Sequence, residues 1–134
     1  MLGASARREQ EQAVKHCLVV DDSRVIRKVA CNIMNALEFD TLEAEDGAEA
    51  LDVCRSQMPD VILLDLQMPT MSGVEFLRSL RRQTRGDHPF VVVCTTENDV
   101  ARLTEALNAG ADQYLMKPFD RASLSEKLVR AGVV

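Results

Sequence analysis

Four short apolar runs, each stopping abruptly at a polar residue, restrict what this chain can fold into. Cys17-Leu18-Val19-Val20 runs into Asp21-Asp22, Val61-Ile62-Leu63-Leu64 into Asp65, Phe90-Val91-Val92-Val93-Cys94 into Thr95, and Tyr114-Leu115-Met116 into Lys117. A strand with both faces dry needs such an unbroken run, because successive side chains point to opposite layers. Between the runs the period changes. After Ser23, a good N-cap, Ile26, Val29, Ala30, Ile33, Met34 and Leu37 recur at helical spacing. A short strand is expected over residues 41–44, and Asp46-Gly47 then turns into a helix over 48–54 that Pro59 closes. Met68-Pro69 and Ser72-Gly73 precede a helix carrying Val74, Leu77 and Leu80; Asn98 or Asp99 caps one carrying Val100, Leu103, Ala106 and Leu107, with Gly110 at its C′ position. Pro118 cannot extend a ladder, and Asp120 caps a last helix with Leu124, Leu128 and Val129 on one side. Five strands alternating with five helices predict an α/β, doubly wound (βα)5 three-layer sandwich with right-handed crossovers.

A length of 134 residues suits one domain with a sizeable core. Residues 1–15 read as a polar extension and 16–134 as the domain. Sixteen basic against twenty-one acidic side chains leave a net charge of −5, which disfavours nucleic acid and anionic lipid and favours proteins or cations as partners. No run is long enough to span a membrane, and the polar residues after Arg7-Arg8 do not form the apolar part of an export signal. The four cysteines, Cys17, Cys31, Cys54 and Cys94, show no metal spacing and are expected to be buried thiols in a reducing cytoplasm. His16 and His88 are expected on the surface or in loops.

In open parallel sheets, ligands bind beyond the carboxyl ends of the strands. Asp21, Asp22, Asp65, Thr95 and Lys117 all fall there. Three converging carboxylates repel by about 4 kcal/mol per pair at about 4 Å under an effective dielectric near 20, so some are protonated or a cation sits among them. Mg²⁺ suits one or two direct carboxylates, a carbonyl, waters and phosphate oxygens, and Asp22 and Asp65 are the natural direct ligands. Asp65 can also attack phosphorus to give an aspartyl phosphate, with Thr95 donating a hydrogen bond to the product and Lys117 pairing with it. Singly, a strand-end Asp is a turn former and a strand-end Lys reaches into water. The conjunction on one edge points to phosphoryl chemistry.

These residues, with Ala44-Glu45-Asp46-Gly47-Ala48-Glu49-Ala50-Leu51, Met68-Pro69, Gly73, Gly110-Ala111 and Lys117-Pro118-Phe119, make the chain resemble the receiver domain of bacterial two-component response regulators, especially the single-domain, CheY-like members, over residues 17 to about 130. The resemblance, not the periodicity, implies the flavodoxin-like strand order 2-1-3-4-5. It implies Asp65 as phosphoacceptor, Mg²⁺ as cofactor, and a metal set of Asp22, Asp65, the Gln67 backbone carbonyl and Asp21 acting through water. Thr95 and Lys117 would contact the phosphoryl group, and the Lys117–Pro118 peptide would be cis. Thr95 would switch together with Tyr114, the aromatic three positions before the lysine, remaking a partner face that includes Arg102, Glu105, Tyr114, Arg121 and Lys127. Gln67 and Glu97 would tune hydrolysis. The implied partners are a histidine kinase or phosphotransfer protein, docking near Arg24, Arg27 and Lys28, and a downstream target protein. A monomer that catalyses only its own phosphorylation and dephosphorylation is expected.

Two positions depart from the family's habits: Ser72 where Asp is frequent, and Thr96 where a smaller residue is frequent. A haloacid-dehalogenase-type phosphohydrolase would want a second Asp where Gln67 stands, and a flavin carrier's phosphate would be repelled by Asp21-Asp22. A phosphate-independent adaptor is opposed by the intact Asp65, Thr95 and Lys117. With only Ala131-Gly132-Val133-Val134 after the last helix, no attached output module is expected. Output would then pass through a chemotaxis or motility target, a phosphorelay shuttle, a phosphate sink or regulation of a kinase, with Tyr114 and Lys117-Pro118-Phe119 leaning toward the chemotaxis-like group.

Overall fold

The computed structural model describes residues 14–68, 70–96 and 99–134. Five strands, β1 (His16–Val20), β2 (Asp40–Ala44), β3 (Val61–Asp65), β4 (Phe90–Thr95) and β5 (Gln113–Met116), form one parallel sheet in the order β2-β1-β3-β4-β5. The helices between and after them are α1 (Arg24–Ala36), α2 (Gly47–Ser56), α3 (Gly73–Arg82), α4 (Val100–Asn108) and α5 (Arg121–Arg130). This is the expected doubly wound, flavodoxin-like sandwich.

Alternation along each central strand feeds two cores. Leu18, Val20, Ile62, Leu64, Val91 and Val93 face α2, α3 and α4, meeting Ala50, Leu51, Leu77, Leu80, Leu103 and Ala106. Cys17, Val19, Val61, Leu63, Val92 and Cys94 face α1 and α5, meeting Ala30, Met34, Leu124 and Leu128. Each fully buried Leu or Val contributes roughly 1.5–3 kcal/mol of transfer free energy. All four cysteines are buried and outside any disulfide, and burial pushes the Cys94 thiol up to about 12 and the Cys54 thiol up to about 11.

Uninterrupted apolar character belongs to β1, β3 and β4 only. β2 and β5 are edge strands with one neighbour each, so several of their residues stay wet. β2 begins at Asp40, and α2 runs from Gly47 to Ser56, beyond both expected ends. Val29, Val100, Leu107 and Val129, placed on apolar stripes by their spacing, are exposed: a helix lying on one sheet face buries a limited arc, and residues at its margins remain in water.

Four helices start on a side-chain cap. Ser23, Asp46, Ser72 and Asp120 accept the backbone N–H of Ile26, Glu49, Glu75 and Ser123 respectively, each cap stabilising its helix by about 1 kcal/mol. Asp99 holds the same position before α4 but makes no such bond. Asn98, the other expected cap, and Pro69 lie outside the described residues.

Candidate functional site

The order β2-β1-β3 means that the chain leaves β1 in one direction for β2 and returns on its other side as β3, so a crevice opens where the two connections part. Asp21 and Asp22 follow β1, Asp65 ends β3, Thr95 ends β4, and Lys117 follows β5. Because the strands are parallel and in register, with Val20 beside Leu64, Asp65 beside Cys94 and Thr95 beside Met116, all these side chains arrive at one rim. They line a cleft of ≈ 330 Å³ together with Ser23, Ile26, Gln67 and Thr96.

Asp21 is held in place from several directions. It is buried, its N–H extends the ladder to the Ala44 carbonyl (3.1 Å), and its Oδ1 accepts the Ser23 N–H (2.8 Å). Its carbonyl accepts Arg27 Nη1 (2.7 Å), while Arg27 Nε pairs with Glu43 Oε1 (3.0 Å). Arg27, read from sequence as a donor-docking residue, is therefore occupied in fixing the turn after β1. Arg24 and Lys28 remain exposed on α1.

Lys117 Nζ lies 2.9 Å from Asp21 Oδ2 and 3.2 Å from Asp65 Oδ1, so one ammonium bridges two buried carboxylates. Asp65 Oδ1 also accepts the Gln67 N–H (3.3 Å). Its Oδ2 has no partner among the described residues, where no fully buried side-chain oxygen is left unpaired, so this oxygen is the one open to the cleft. Burial pushes the Asp65 carboxyl up; Lys117 opposes this, Asp21 adds to it, and the net displacement is above the ordinary value. Burial alone would lower Lys117, but its bond to Asp21 and the nearby Asp65 charge hold it above its ordinary value.

Oxygens of Asp21, Asp22 and Asp65 lie within 4.8 Å of one another, and Asp22 is the exposed member. Three carboxylates against one bridging lysine leave negative charge in excess, and the donors are all hard oxygens. That donor set fits a hard divalent cation such as Mg²⁺. Gln67, two residues after Asp65, lines the same cleft.

Thr95 is buried, with Oγ1 3.5 Å from the Thr96 carbonyl, at the limit of a hydrogen bond. Tyr114 is 37% exposed, and Lys127 Nζ stands 4.4 Å from its ring centroid. Arg102 and Glu105 are exposed on α4 and Arg121 on α5, the helices that precede and follow β5. The Lys117–Pro118 peptide is cis, as expected. Glu97 lies outside the described residues.

Two supports of the site were not anticipated. A Cβ on Gly73 would stand 2.9 Å from the Asp65 carbonyl oxygen and 3.0 Å from Leu66 Cα, so only glycine lets α3 start this close to the end of β3. The motif glycine was visible in the sequence, but what it touches was not. Gln67 Nε2 donates to Asp99 Oδ2 at 3.0 Å, tying the loop after β3 to the start of α4. No sequence signal marks that pair.

Known proteins resemble this chain in both sequence and shape. A family model described as the response regulator receiver domain matches residues 17–129. Response regulator MprA of Mycolicibacterium vanbaalenii is 40% identical over 113 residues, covering 84% of this chain and 47% of that relative. The chain thus spans about half the length of the curated relatives it matches. Chemotaxis protein CheY4 of Vibrio cholerae superposes with a TM-score of 0.82 at 33% identity, covering 88% of this chain and 98% of that one. The receiver domain of sensor histidine kinase PA1611 from Pseudomonas aeruginosa, with a magnesium ion coordinated in its active site cleft, superposes with a TM-score of 0.80 at 30% identity, covering 88% and 97%.

Proposed function

The chain belongs to the response regulator receiver domain family, and on that premise we propose that it takes a phosphoryl group onto Asp65 from a histidine kinase or phosphotransfer protein and signals through phosphorylation-dependent binding of another protein. The observation that carries this reading is the cluster itself: three carboxylates within 4.8 Å, bridged by Lys117, with one Asp65 oxygen open to the cleft. The domain proposed to do this spans residues 16–134, with 1–15 as a polar extension and a cytoplasmic setting.

Asp65 Oδ2 attacks phosphorus as the P–N bond to the donor imidazole breaks, and the leaving nitrogen keeps the electron pair. Asp22, Asp65, the Gln67 carbonyl and Asp21, the last through water, would hold Mg²⁺, which supplies charge neutralisation at the transferring oxygens. Lys117 is already placed between Asp21 and Asp65, so a small swing carries its ammonium to a phosphoryl oxygen. Thr95 has only a 3.5 Å contact to give up before its hydroxyl turns toward the product. That turn vacates space behind Thr95 into which Tyr114 moves, leaving Lys127. A coupling of about 1–3 kcal/mol between the phosphoryl group and this rearrangement shifts populations several-fold. Arg102, Glu105, Tyr114, Arg121 and Lys127 then present a changed face to the target. Gln67 and Glu97 set how long the acyl phosphate lasts.

Acetyl phosphate with Mg²⁺ should add one phosphoryl mass, Asp65→Asn should abolish it, and Lys117→Ala should still be phosphorylated yet bind its target no better than the unphosphorylated protein. Phosphorylation persisting in Asp65→Asn would sink the assignment. A pull-down comparing the beryllofluoride-treated protein with Asp65→Ala distinguishes a motility or chemotaxis target from a phosphorelay partner or a kinase. Identical partners in both would favour a phosphate-independent adaptor.

A further inference from the structure

Asp99 stands at the N-cap of α4 with φ −122° and ψ 42°, and its side chain accepts no backbone N–H of its own helix, unlike those of Ser23, Asp46, Ser72 and Asp120. Its carboxylate instead faces two side chains, one on the loop after β3 and one on α4. Oδ2 accepts Gln67 Nε2 at 3.0 Å and Oδ1 lies 3.7 Å from Arg102 Nε, with the Asp99 side chain only 13% exposed. Forgoing a cap is unfavourable, and a hydrogen bond from an amide to the carboxylate offsets part of it. The partner chosen is informative. Gln67 donates its backbone N–H to Asp65 Oδ1, and the residue lines the cleft with Thr95 and Lys117.

We propose that Asp99 is a positioning residue for the aspartyl phosphate: by holding the Gln67 amide against α4, it fixes what stands at the mouth of the cleft and so sets the rate of hydrolysis. This rests on the reading that Asp65 is the phosphoacceptor. In hydrolysis a water oxygen bonds to phosphorus and the bond from phosphorus to the Asp65 oxygen breaks. Its electron pair returns to the carboxylate, and the water proton leaves with inorganic phosphate. Nothing beyond water is consumed. An untethered glutamine samples several rotamers, whereas a tethered one presents the same group at every encounter of water with phosphorus.

Asp99→Ser separates this role from simple capping, because serine is an N-cap residue but is too short to reach Gln67. The protein is loaded with acetyl phosphate and Mg²⁺, the donor is removed, and loss of the phosphoryl mass is followed alongside the melting temperature. The dephosphorylation rate constant of Asp99→Ser should differ from that of the unaltered protein by about threefold or more. Asp99→Asn, which keeps an acceptor oxygen for Nε2, should restore it to within about twofold. In a Gln67→Ala background, Asp99→Ser should have no further effect. Equal lifetimes for Asp99→Ser and the unaltered protein, or the same change with and without Gln67, would overturn the proposal while leaving phosphorylation of Asp65 standing. Failure of the unaltered protein to take up a phosphoryl group would remove both.

Discussion

Two carboxylates bracket β3, and they are treated in opposite ways. Before the strand, Asp60 accepts the His16 N–H at Oδ2 (2.8 Å) and faces His88 Nε2 at Oδ1 (2.8 Å). Its own N–H donates to the His16 carbonyl (2.8 Å), and its carbonyl accepts the Phe90 N–H (2.9 Å). Burial pushes Asp60 up, but the His88 and His16 bonds outweigh it and hold the carboxyl below its ordinary value. At the strand's other end, burial and the Asp21 charge outweigh Lys117, and Asp65 is held above its ordinary value.

The cations differ in the same sense. Arg81 gives Nε and Nη2 to the Gly110 carbonyl (3.1 and 2.7 Å), Nη1 to the Gly86 and Pro89 carbonyls (2.9 Å each), and Nη2 to Asp112 Oδ2 (3.1 Å), which also accepts the Val91 N–H (2.8 Å). Gly110, at φ +118°, leaves room where a Cβ would press on Arg81 at 2.9 Å. At the amino edge of the sheet, donors and acceptors are matched and charge serves architecture. At the carboxyl edge, negative oxygens outnumber their partners, and the surplus is available to a cation or a phosphoryl group.

If that contrast holds, altering the amino edge should cost stability and spare chemistry. The largest effect is expected from Arg81→Ala, which strips bonds from three carbonyls and one carboxylate at a site 17% exposed. A loss of about 3 kcal/mol in urea unfolding is predicted, with one phosphoryl group still added per folded molecule. Unchanged stability would show that the amino edge is not the scaffold it resembles. Gly73→Ala tests the boundary between the two regions. It should lose about 1–3 kcal/mol and also slow phosphorylation, because the backbone at Asp65 and Leu66 must move to admit the methyl group.

The smallest effect is the sharpest test of sign. Asp65→Asn should stabilise the protein by on the order of 1 kcal/mol at neutral pH without divalent ions. Its folded pKa lies above the unfolded 3.8, so the native state loses stability as pH rises from 3.8 through the folded value, and the gap to the variant should close in acid. Asp60→Asn should destabilise by about 1 kcal/mol or less, given partial exposure. Its folded pKa lies below 3.8, so its contribution is present above 3.8 and lost as pH falls through the folded value. Melting curves against pH for the two variants should diverge in opposite directions. Parallel curves would mean that both ends of β3 are electrostatically alike.

Much of the fold was readable residue by residue. Central strands announced themselves as unbroken apolar runs, because only a strand covered on both faces needs them. Ser23 and Asp120 marked helix starts because a cap acts within its own turn, and Asp46-Gly47 marked one as a turn. The rim position of Asp21, Asp65, Thr95 and Lys117 was readable for a related reason: in this architecture, a polar residue that ends a buried run stands at the rim, wherever the run falls in the sheet. The strand order was not readable from periodicity and came only with the family resemblance.

Other readings failed where a partner lies far along the chain. His88 is exposed in a loop as expected, but His16 is half-buried in β1, and its backbone N–H and the His88 ring both meet Asp60, because β1, β3 and the approach to β4 lie side by side. Asp99, one of two candidate caps beside Asn98, instead gives its carboxylate to Gln67, 32 positions earlier in the chain. Arg81 and Gly110 gave no sign of each other across |i−j| = 29.

By itself, then, the amino-acid sequence determined which segments are strand or helix, which strands are dry on both faces, and which polar side chains stand at the carboxyl rim of the sheet, since these follow from periods of two or 3.6 and from caps a few residues away. Only the tertiary structure decided which charges are answered and which are left in surplus. That depends on which strands become neighbours, and a side chain's partner across a sheet is set by packing of the whole domain rather than by any residue near it in the chain.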